Sequence, residues 1–245
     1  MTASQSRAAW SVTLAAAAIL MVTMGVRQSQ GLFISPINTS TGLGVVAISF
    51  AIAIGQFTWG AIQPIAGAVA DKFGPAPVLA AGLVLLAAGM ALTPFMSSGF
   101  GMVVSIGLLT AAGAGTGAFS VIIGAVGQQL APERRGFSSG VINAGASVGQ
   151  FVFAPLAQFL ITAFGWMAAL WSLAAVSLAA LPLTRMLRGK PHAAPIAGAT
   201  AEKTLRGALR EAAQDRSYLL LHAGFFTCGF HIAFLVTHLP GEVQL

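Results

Sequence analysis

The sequence predicts an all-α polytopic membrane protein, and two observations carry that prediction. The first is composition: 56% of the 245 residues are hydrophobic and 7% are charged, whereas a soluble domain carries about 25% charged residues. The second is that the apolar residues occur in runs of about 20, the length that a helix needs to cross a bilayer. Ten-residue segments of alternating polarity, which would indicate a β-barrel, do not recur along the chain.

The apolar runs predict seven membrane-spanning helices. Their approximate bounds are residues 8–34, 45–69, 78–95, 100–127, 141–164, 167–186 and 218–239. Short turns join the first six, so we expect residues 1–186 to form a six-helix transmembrane bundle. A longer polar segment, 187–216, is expected to be a cytoplasmic central loop, and its helical spacing of apolar residues predicts a short amphipathic helix. Residues 217–245 hold the seventh helix.

The basic residues are distributed as expected for a membrane protein with a cytoplasmic N-terminus. The chain has 12 Lys and Arg against 6 Asp and Glu. With the N-terminus inside, every basic residue except Arg27 falls in or next to a cytoplasmic segment, and the predicted outer loops hold none. The net charge of +6 therefore reflects membrane topology. We expect the lipid bilayer as a partner, and no nucleic acid.

An internal repeat divides the predicted bundle into two halves. The second span ends in PIAGAVADKFG, residues 64–74, and the fifth ends in PLAQFLITAFG, residues 155–165. The first copy ends inside and the second outside, so helices 1–3 and 4–6 are predicted to be inverted repeats. Secondary transporters are commonly built from such repeats, with the substrate site near the bilayer midplane.

Arg27 is the one charged residue that lies away from the ends of a predicted span. An arginine deep in a span costs about 2.5–3.5 kcal/mol on insertion scales, and such residues commonly mark substrate pathways. A guanidinium offers a planar fork to a carboxylate, and Thr23, Arg27 and Gln30 follow helical spacing on one face. Snorkelling of a long side chain toward the headgroups is the alternative.

Other polar residues are candidates to line the same cavity. Gln56 and Gln63 lie seven residues apart in the second span, and Asn143, Ser147 and Gln150 follow helical spacing in the fifth. Hydrogen bonding between helices explains each of them equally well.

In the seventh span, His231 is a candidate for proton coupling, and a buried neutral histidine is the alternative. Cys228 and His231 alone do not make a zinc site, which needs three or four ligands. No metal or cofactor is predicted. Because the chain also shows no catalytic constellation, it is predicted not to be an enzyme.

Two loop motifs point to a family. GAVADKFG, residues 67–74, resembles the signature G-x-x-x-D-[RK]-x-G of the loop between helices 2 and 3 in the major facilitator superfamily. PERRGFSSG, residues 132–140, resembles the family's loop between helices 4 and 5. The resemblance implies a major facilitator fold with a network at the inward gate. Its residues here would be Gly67, Asp71, Lys72 and Gly74, with Arg134 or Arg135 as the partner of Asp71.

Four further segments narrow the resemblance. RQSQGLF, QPIAGAVADKFG, GVINAGASVGQF and GFFTCGFHIAFLVTHLP together are similar to a bacterial form of the monocarboxylate-transporter-like branch. That resemblance implies carriage of small organic anions, monocarboxylates above all, coupled to a proton or by exchange, in the bacterial inner membrane. It also places a basic residue at Arg27 in the substrate path. The predicted substrate-binding residues are Arg27, Gln30, Gln56, Gln63, Asn143 and Gln150.

The length leaves alternatives open. A carrier of this family needs a second bundle, so we expect a partial chain whose seventh helix begins a missing bundle, or a half-sized product. Its C-terminal half would lie on the same or another chain. The rival functions are a membrane interaction or regulatory module that transports nothing itself, and an efflux carrier for another small molecule. No span contains the acidic residue that export of hydrophobic cations favours.

Overall fold

The structure is a computed structural model that describes the backbone of residues 3–189 and 205–243 and the side chains of residues 9–189 and 210–235. The chain divides into two units, Met1–Pro191 and His192–Leu245. The described residues form helices and no strand, which confirms the all-α prediction. Half of the predicted central loop, residues 190–204 of 187–216, lies outside the described residues.

The first unit is a bundle of helices of very different lengths. In chain order they are α1 (Ala3–Gln28), α2 (Ile34–Thr41), α3 (Val45–Phe73), α4 (Pro75–Leu92), α5 (Gly99–Met102), α6 (Ala111–Thr116), α7 (Phe119–Gln129), α8 (Pro132–Phe164), α9 (Trp166–Ala179) and α10 (Leu181–Thr184). A π-helix covers Val103–Thr110, and short 3-10 helices cover Ser29–Phe33, Thr93–Phe95 and Arg185–Leu187.

Six helical stretches of the described chain are long and apolar enough to cross a membrane. One of them, Pro132–Leu187, has 56 residues and would measure about 84 Å, nearly three times the thickness of the bilayer core. Gly165 interrupts this stretch with a φ of 83°, and α8 packs against α9 across the break. The stretch therefore supplies both the fifth and the sixth predicted spans.

The two copies of the repeated sequence adopt the same local structure. α3 contains Pro64 and ends at Gly74, with φ 89° and ψ 155°. α8 contains Pro155 and ends at Gly165, with φ 83° and ψ 161°. In each copy the glycine N–H donates to the carbonyl four residues earlier, at 2.8 and 3.0 Å. A positive φ disfavours any residue with a Cβ, which explains why both copies end in glycine.

Two predicted spans are less regular than their sequences suggest. α1 ends at Gln28 and continues as a 3-10 helix, whose turn is tighter than that of an α-helix. The fourth span, predicted as one helix over 100–127, is interrupted at Gly117 and Ala118, between α6 and α7. There the Gly117 carbonyl accepts a hydrogen bond from the Thr23 hydroxyl at 3.1 Å. The many small residues of the fourth span keep this stretch apolar and also permit its irregular backbone.

α1 and α8 approach each other closely through glycines. A Cβ added at Gly145 would lie 2.8 Å from the Ala17 carbonyl oxygen, and one at Gly149 would lie 2.1 Å from that of Met21. Both distances are shorter than a Cβ contact allows, so only glycine fits at these positions. The G-x-x-x-G pair thus serves the close helix packing typical of membrane interiors, and it fixes the helix that carries Arg27.

The second unit contains α11 (Leu205–Gln214) and α12 (Arg216–Val243). α11 lies in the segment for which an amphipathic helix is predicted. Asp215 caps the start of α12, because its carboxylate accepts hydrogen bonds from the N–H groups of Ser217 at 2.8 Å and Tyr218 at 3.3 Å. The stretch Arg216–Leu235 is long and apolar enough to cross a membrane, as predicted for the seventh span.

Candidate substrate site

Arg27 lies at the end of α1, and its side chain reaches the middle of α3. Its Nη2 donates a hydrogen bond to Oε1 of Gln56, and its Cζ lies 4.1 Å from the ring centroid of Trp59. Trp59 is the central residue of α3, about 21 Å from either end at 1.5 Å per residue. The guanidinium is therefore held inside the bundle and does not extend to the headgroup layer.

The free energies of these two contacts are comparable to the cost of placing the Arg27 charge within a span. The insertion cost of an arginine is about 2.5–3.5 kcal/mol. A hydrogen bond to a charged group contributes about 1.5–3 kcal/mol, and a cation–π contact about 0.5–2 kcal/mol. The Gln56 and Trp59 contacts thus offset most of the cost. They engage one N–H and one face of the guanidinium, and its other four N–H donors remain for a ligand.

A polar face extends along α3 beyond Trp59. Gln63 Nε2 donates to the backbone oxygen of Trp59 at 3.2 Å, and Gln63 Oε1 accepts from the Ser120 hydroxyl at 3.3 Å. Gln56, Trp59 and Gln63 follow i, i+3, i+7 spacing and share one side of the helix. The Gln63–Ser120 hydrogen bond ties this side of α3 to the first turn of α7.

Trp59 is a site residue that the sequence analysis did not identify, because it is not a polar residue within an apolar span. A tryptophan in an apolar helix is usually explained by ordinary packing, so its residue type alone does not indicate a site. Its spacing is the available signal, because it lies three residues after Gln56 and four before Gln63. An aromatic residue between two amides on one face, in the helix predicted to accompany Arg27, is a pattern that could have identified it.

Gln30 occupies a different environment from Arg27. It lines a small apolar cavity together with Ile37, Ile48, Met90 and other apolar side chains. Within residues 9–189 Gln30 forms no hydrogen bond with Arg27, whose side chain bonds to Gln56.

Neither of the two predicted ligands on α8 forms a hydrogen bond with Arg27 in the described residues. Asn143 is exposed and Gln150 is half-buried. The Asn143 carbonyl accepts a hydrogen bond from the Ser147 hydroxyl at 3.4 Å, which is a contact within the helix. Within residues 9–189, the hydrogen bond of the Arg27 side chain goes to Gln56.

The residues of the predicted inward gate lie in two pockets. Asp71 is exposed, and it lines a pocket with Gly67 and Gln128. Arg134 lines a different pocket, and the Arg135 Nε donates to the Leu130 carbonyl at 3.1 Å.

The remaining gate residues, Lys72 and Gly74, are at the end of α3. The Lys72 Nζ lies 5.3 Å from the ring centroid of Phe73, and Gly74 has the positive φ that the turn requires. A Cβ at Gly74 would lie 3.2 Å from the Gly189 carbonyl oxygen. The chain after α10 therefore returns to this turn.

In the second unit, His231 lies on α12 and is exposed there, as is Cys228. The described residues contain no group of three or more His, Cys, Asp or Glu that could hold a metal ion. His222, also on α12, has its Nδ1 3.0 Å from the Tyr218 carbonyl oxygen.

Comparison with known families decides the class of protein. The profile of the Major Facilitator Superfamily matches residues 14–244. This chain belongs to that superfamily. Together with the helical bundle and its long apolar helices, the match confirms the predicted fold class and an integral, multi-pass membrane protein of the Major Facilitator Superfamily.

Similar superfamily members carry the names of transporters of organic anions. The chain is 30% identical over 179 residues to monocarboxylate transporter 13 of Rattus norvegicus, covering 73% of this chain and 41% of that protein. It is 32% identical over 151 residues to the oxalate:formate antiporter of Oxalobacter formigenes, covering 60% and 34%. It is 31% identical over 153 residues to a probable sulfoacetate transporter of Cupriavidus necator, covering 62% and 33%.

The chain thus spans less than half the length of these relatives. Its family is one of transporters and not of enzymes, as predicted. The recognition of a superfamily member similar to monocarboxylate transporters is likewise confirmed.

Proposed function

We propose that this chain forms part of a secondary active transporter of small organic anions, with monocarboxylates as the preferred substrates. Transport would proceed by alternating access, as two bundles rock around a site near the midplane. A C-terminal half, on the same chain or another, would supply the second wall of the pathway. We place the protein in the bacterial inner membrane with a cytoplasmic N-terminus, because the basic residues follow that topology.

The position of the Arg27 guanidinium supports this proposal most directly. It lies over the central residue of α3, the depth at which substrates bind in carriers built from inverted repeats. A guanidinium offers parallel N–H donors that match the two oxygens of a carboxylate. The names of the relatives, which specify monocarboxylates, oxalate, formate and sulfoacetate, agree with an anionic group as the element recognised.

We assign the substrate carboxylate to Arg27, with Gln56 and Gln63 as neighbouring polar groups. Gln30, Asn143 and Gln150 stay predictions as further ligands. A role for His231 in proton coupling also stays a prediction. The mode of coupling, by symport or by exchange, stays a prediction as well.

We further propose that Gly67, Asp71, Lys72 and Gly74 form the inward gate. Arg134 or Arg135 would approach Asp71 in a conformation with that gate closed.

The test is uptake by proteoliposomes that contain the complete protein expressed from its own coding region. Labelled formate, acetate, oxalate and sulfoacetate would be offered to wild type, Arg27→Ala and Arg27→Lys. Arg185→Ala is the matched control, because it removes a basic residue at the end of the bundle. We expect Arg27→Ala to abolish uptake and Arg185→Ala to retain it, with equal amounts of protein in the membrane.

Two results would refute the proposal. If wild type takes up no anion while it is correctly inserted, the chain belongs to a membrane interaction module or to a carrier of another cargo. If Arg27→Ala transports as well as wild type, the anion does not bind at Arg27. Arg27→Lys separates charge from geometry, because lysine retains the charge and loses the planar fork.

A further inference from the structure

The indole of Trp59 forms one wall of the Arg27 site. Its ring lies face-on to the guanidinium, with the Arg27 Cζ 4.1 Å from the ring centroid. On the same helix, one turn earlier, Gln56 accepts a hydrogen bond from Arg27 Nη2. The guanidinium is therefore held by a face contact and an edge contact that both come from α3.

The backbone of Trp59 is fixed by its neighbours. Its carbonyl oxygen accepts the hydrogen bond from Gln63 Nε2. A Cβ added at Gly115 would lie 2.8 Å from the same oxygen, so α6 packs directly on this turn of α3. The Cα of Trp59 thus has little freedom to move, and the position of the indole depends on its own side-chain contacts.

The ring is not held through its polar atom. Trp59 Nε1 is buried and has no hydrogen-bond partner in the described part of the chain. A buried tryptophan usually places this N–H on an acceptor. Since that bond is missing here, the indole is oriented by its packing against the apolar core and by its stacking contact with Arg27.

This arrangement limits the conformations available to Arg27. A free arginine side chain carries about 2 kcal/mol of rotamer entropy, which a ligand would otherwise have to overcome. With one face on the indole and one N–H on Gln56, the guanidinium already points in a fixed direction before the anion arrives. Preorganisation of this kind raises affinity without any direct contact between the ligand and the supporting residue.

We infer that Trp59 is a positioning residue that holds the Arg27 guanidinium flat against α3, with its free edge turned to the substrate carboxylate. The inference rests on the proposed function of Arg27. It assigns to an apolar residue a role in anion affinity that neither its type nor the neighbouring polar pattern would suggest. The property that matters is the aromatic face and not the indole N–H.

The test compares Trp59→Leu and Trp59→Phe in the same proteoliposome assay. Trp59→Leu removes the aromatic face, and we expect the KM for formate to rise about 3- to 30-fold, the range that a cation–π contact supports. Vmax should stay within about twofold, because the step affected is binding. Trp59→Phe keeps an aromatic face and should retain a KM near that of wild type. Trp171→Leu is the control, since that indole packs at a tilt against Phe95, with ring centroids 6.2 Å apart, and no cation of the described residues lies over its ring.

A second measurement does not depend on the folding of the leucine variant. Sodium formate, matched with sodium chloride at equal ionic strength, should change the near-ultraviolet spectrum of the wild-type indoles. The Trp59→Phe protein serves as the blank, and we expect the formate-dependent signal to vanish in it.

Three results would overturn the role of Trp59: an unchanged KM in Trp59→Leu, an equal loss in Trp59→Phe, or a formate signal that persists in Trp59→Phe. Each differs from failure of the proposed function. If uptake is absent in wild type or insensitive to Arg27→Ala, the proposed function itself fails. If Arg27→Ala abolishes uptake while Trp59→Leu matches wild type, Arg27 binds the anion and Trp59 does not position it.

Discussion

The contact between Gln56 and Arg27 allows a nearly isosteric test of the site. Gln56→Glu replaces the amide that already accepts a hydrogen bond from Arg27 Nη2 with a carboxylate. The new group would form an internal ion pair and compete with the substrate for the guanidinium. Two unit charges about 4 Å apart attract by about 4 kcal/mol at an effective dielectric of 20.

The measurable effect is smaller than this Coulomb energy. Desolvation of the new carboxylate opposes the ion pair, and the bond to the neutral amide is already present in wild type. We therefore expect the KM for formate to rise about 10- to 100-fold, which corresponds to about 1.4–2.8 kcal/mol. The assay is the concentration dependence of initial uptake into proteoliposomes at constant ionic strength.

Gln63→Glu is the matched control because it introduces the same charge on the same face of α3. The guanidinium lies over the ring of Trp59, and Gln63 follows Trp59 by four residues, about 6 Å along the helix axis. Gln63 bonds to the Trp59 carbonyl and to Ser120. At about 6 Å the attraction falls to about 2.8 kcal/mol at the same dielectric. An unchanged KM in Gln56→Glu, or an equal rise in both variants, would refute the assignment of the substrate carboxylate to Arg27.

Two further predictions concern the scaffold that holds the site. Gly149→Leu should lower the thermal unfolding temperature in detergent strongly, at a cost of about 1–3 kcal/mol or more, because a Cβ there would lie 2.1 Å from the Met21 carbonyl oxygen. Gly140→Leu on the same helix meets open space and should leave the temperature unchanged; equal effects would contradict the close packing of α1 on α8. Gly165→Ala should cost about 1–2 kcal/mol through its φ of 83° alone, since nothing lies within 4 Å of the added Cβ. An unchanged unfolding temperature in that variant would contradict the positive φ.

The helices of this bundle are predictable from hydropathy because the bilayer imposes their length. Long apolar runs can satisfy their backbone in lipid only as helices, so each run specifies a span whatever its local propensities. The ends of α3 and α8 were equally predictable, since Gly74 and Gly165 end matching segments of the repeat. Sequence reasoning could not locate the interruption at Gly117, because glycine and alanine occur throughout that run with no residue that requires a break.

The site was predictable only in part, for a related reason. Arg27 stands out because a charge within a span is costly, and the amides of Gln56 and Gln63 are visible as polar groups in an apolar helix. Side-chain direction is not visible in the same way. Gln30 lines an apolar cavity whose walls come from several helices, and the stacking of Trp59 depends on the neighbouring helix.

The internal repeat suggests where the opposite wall of the site lies within this chain. When Pro64 is matched with Pro155, the positions of Gln56 and Trp59 on α3 correspond to Ser147 and Gln150 on α8. Inverted repeats place matched helices on opposite sides of a common axis near the site. Gln150 is half-buried, as is Trp59, so the repeat offers a reason to keep Gln150 as a ligand candidate although Arg27 bonds to Gln56. With the same offset Arg27 corresponds to Ala118, between α6 and α7, which carries no charge. The two repeats would therefore contribute unequally: α1 and α3 supply the charge with its support, and α8 supplies a neutral amide.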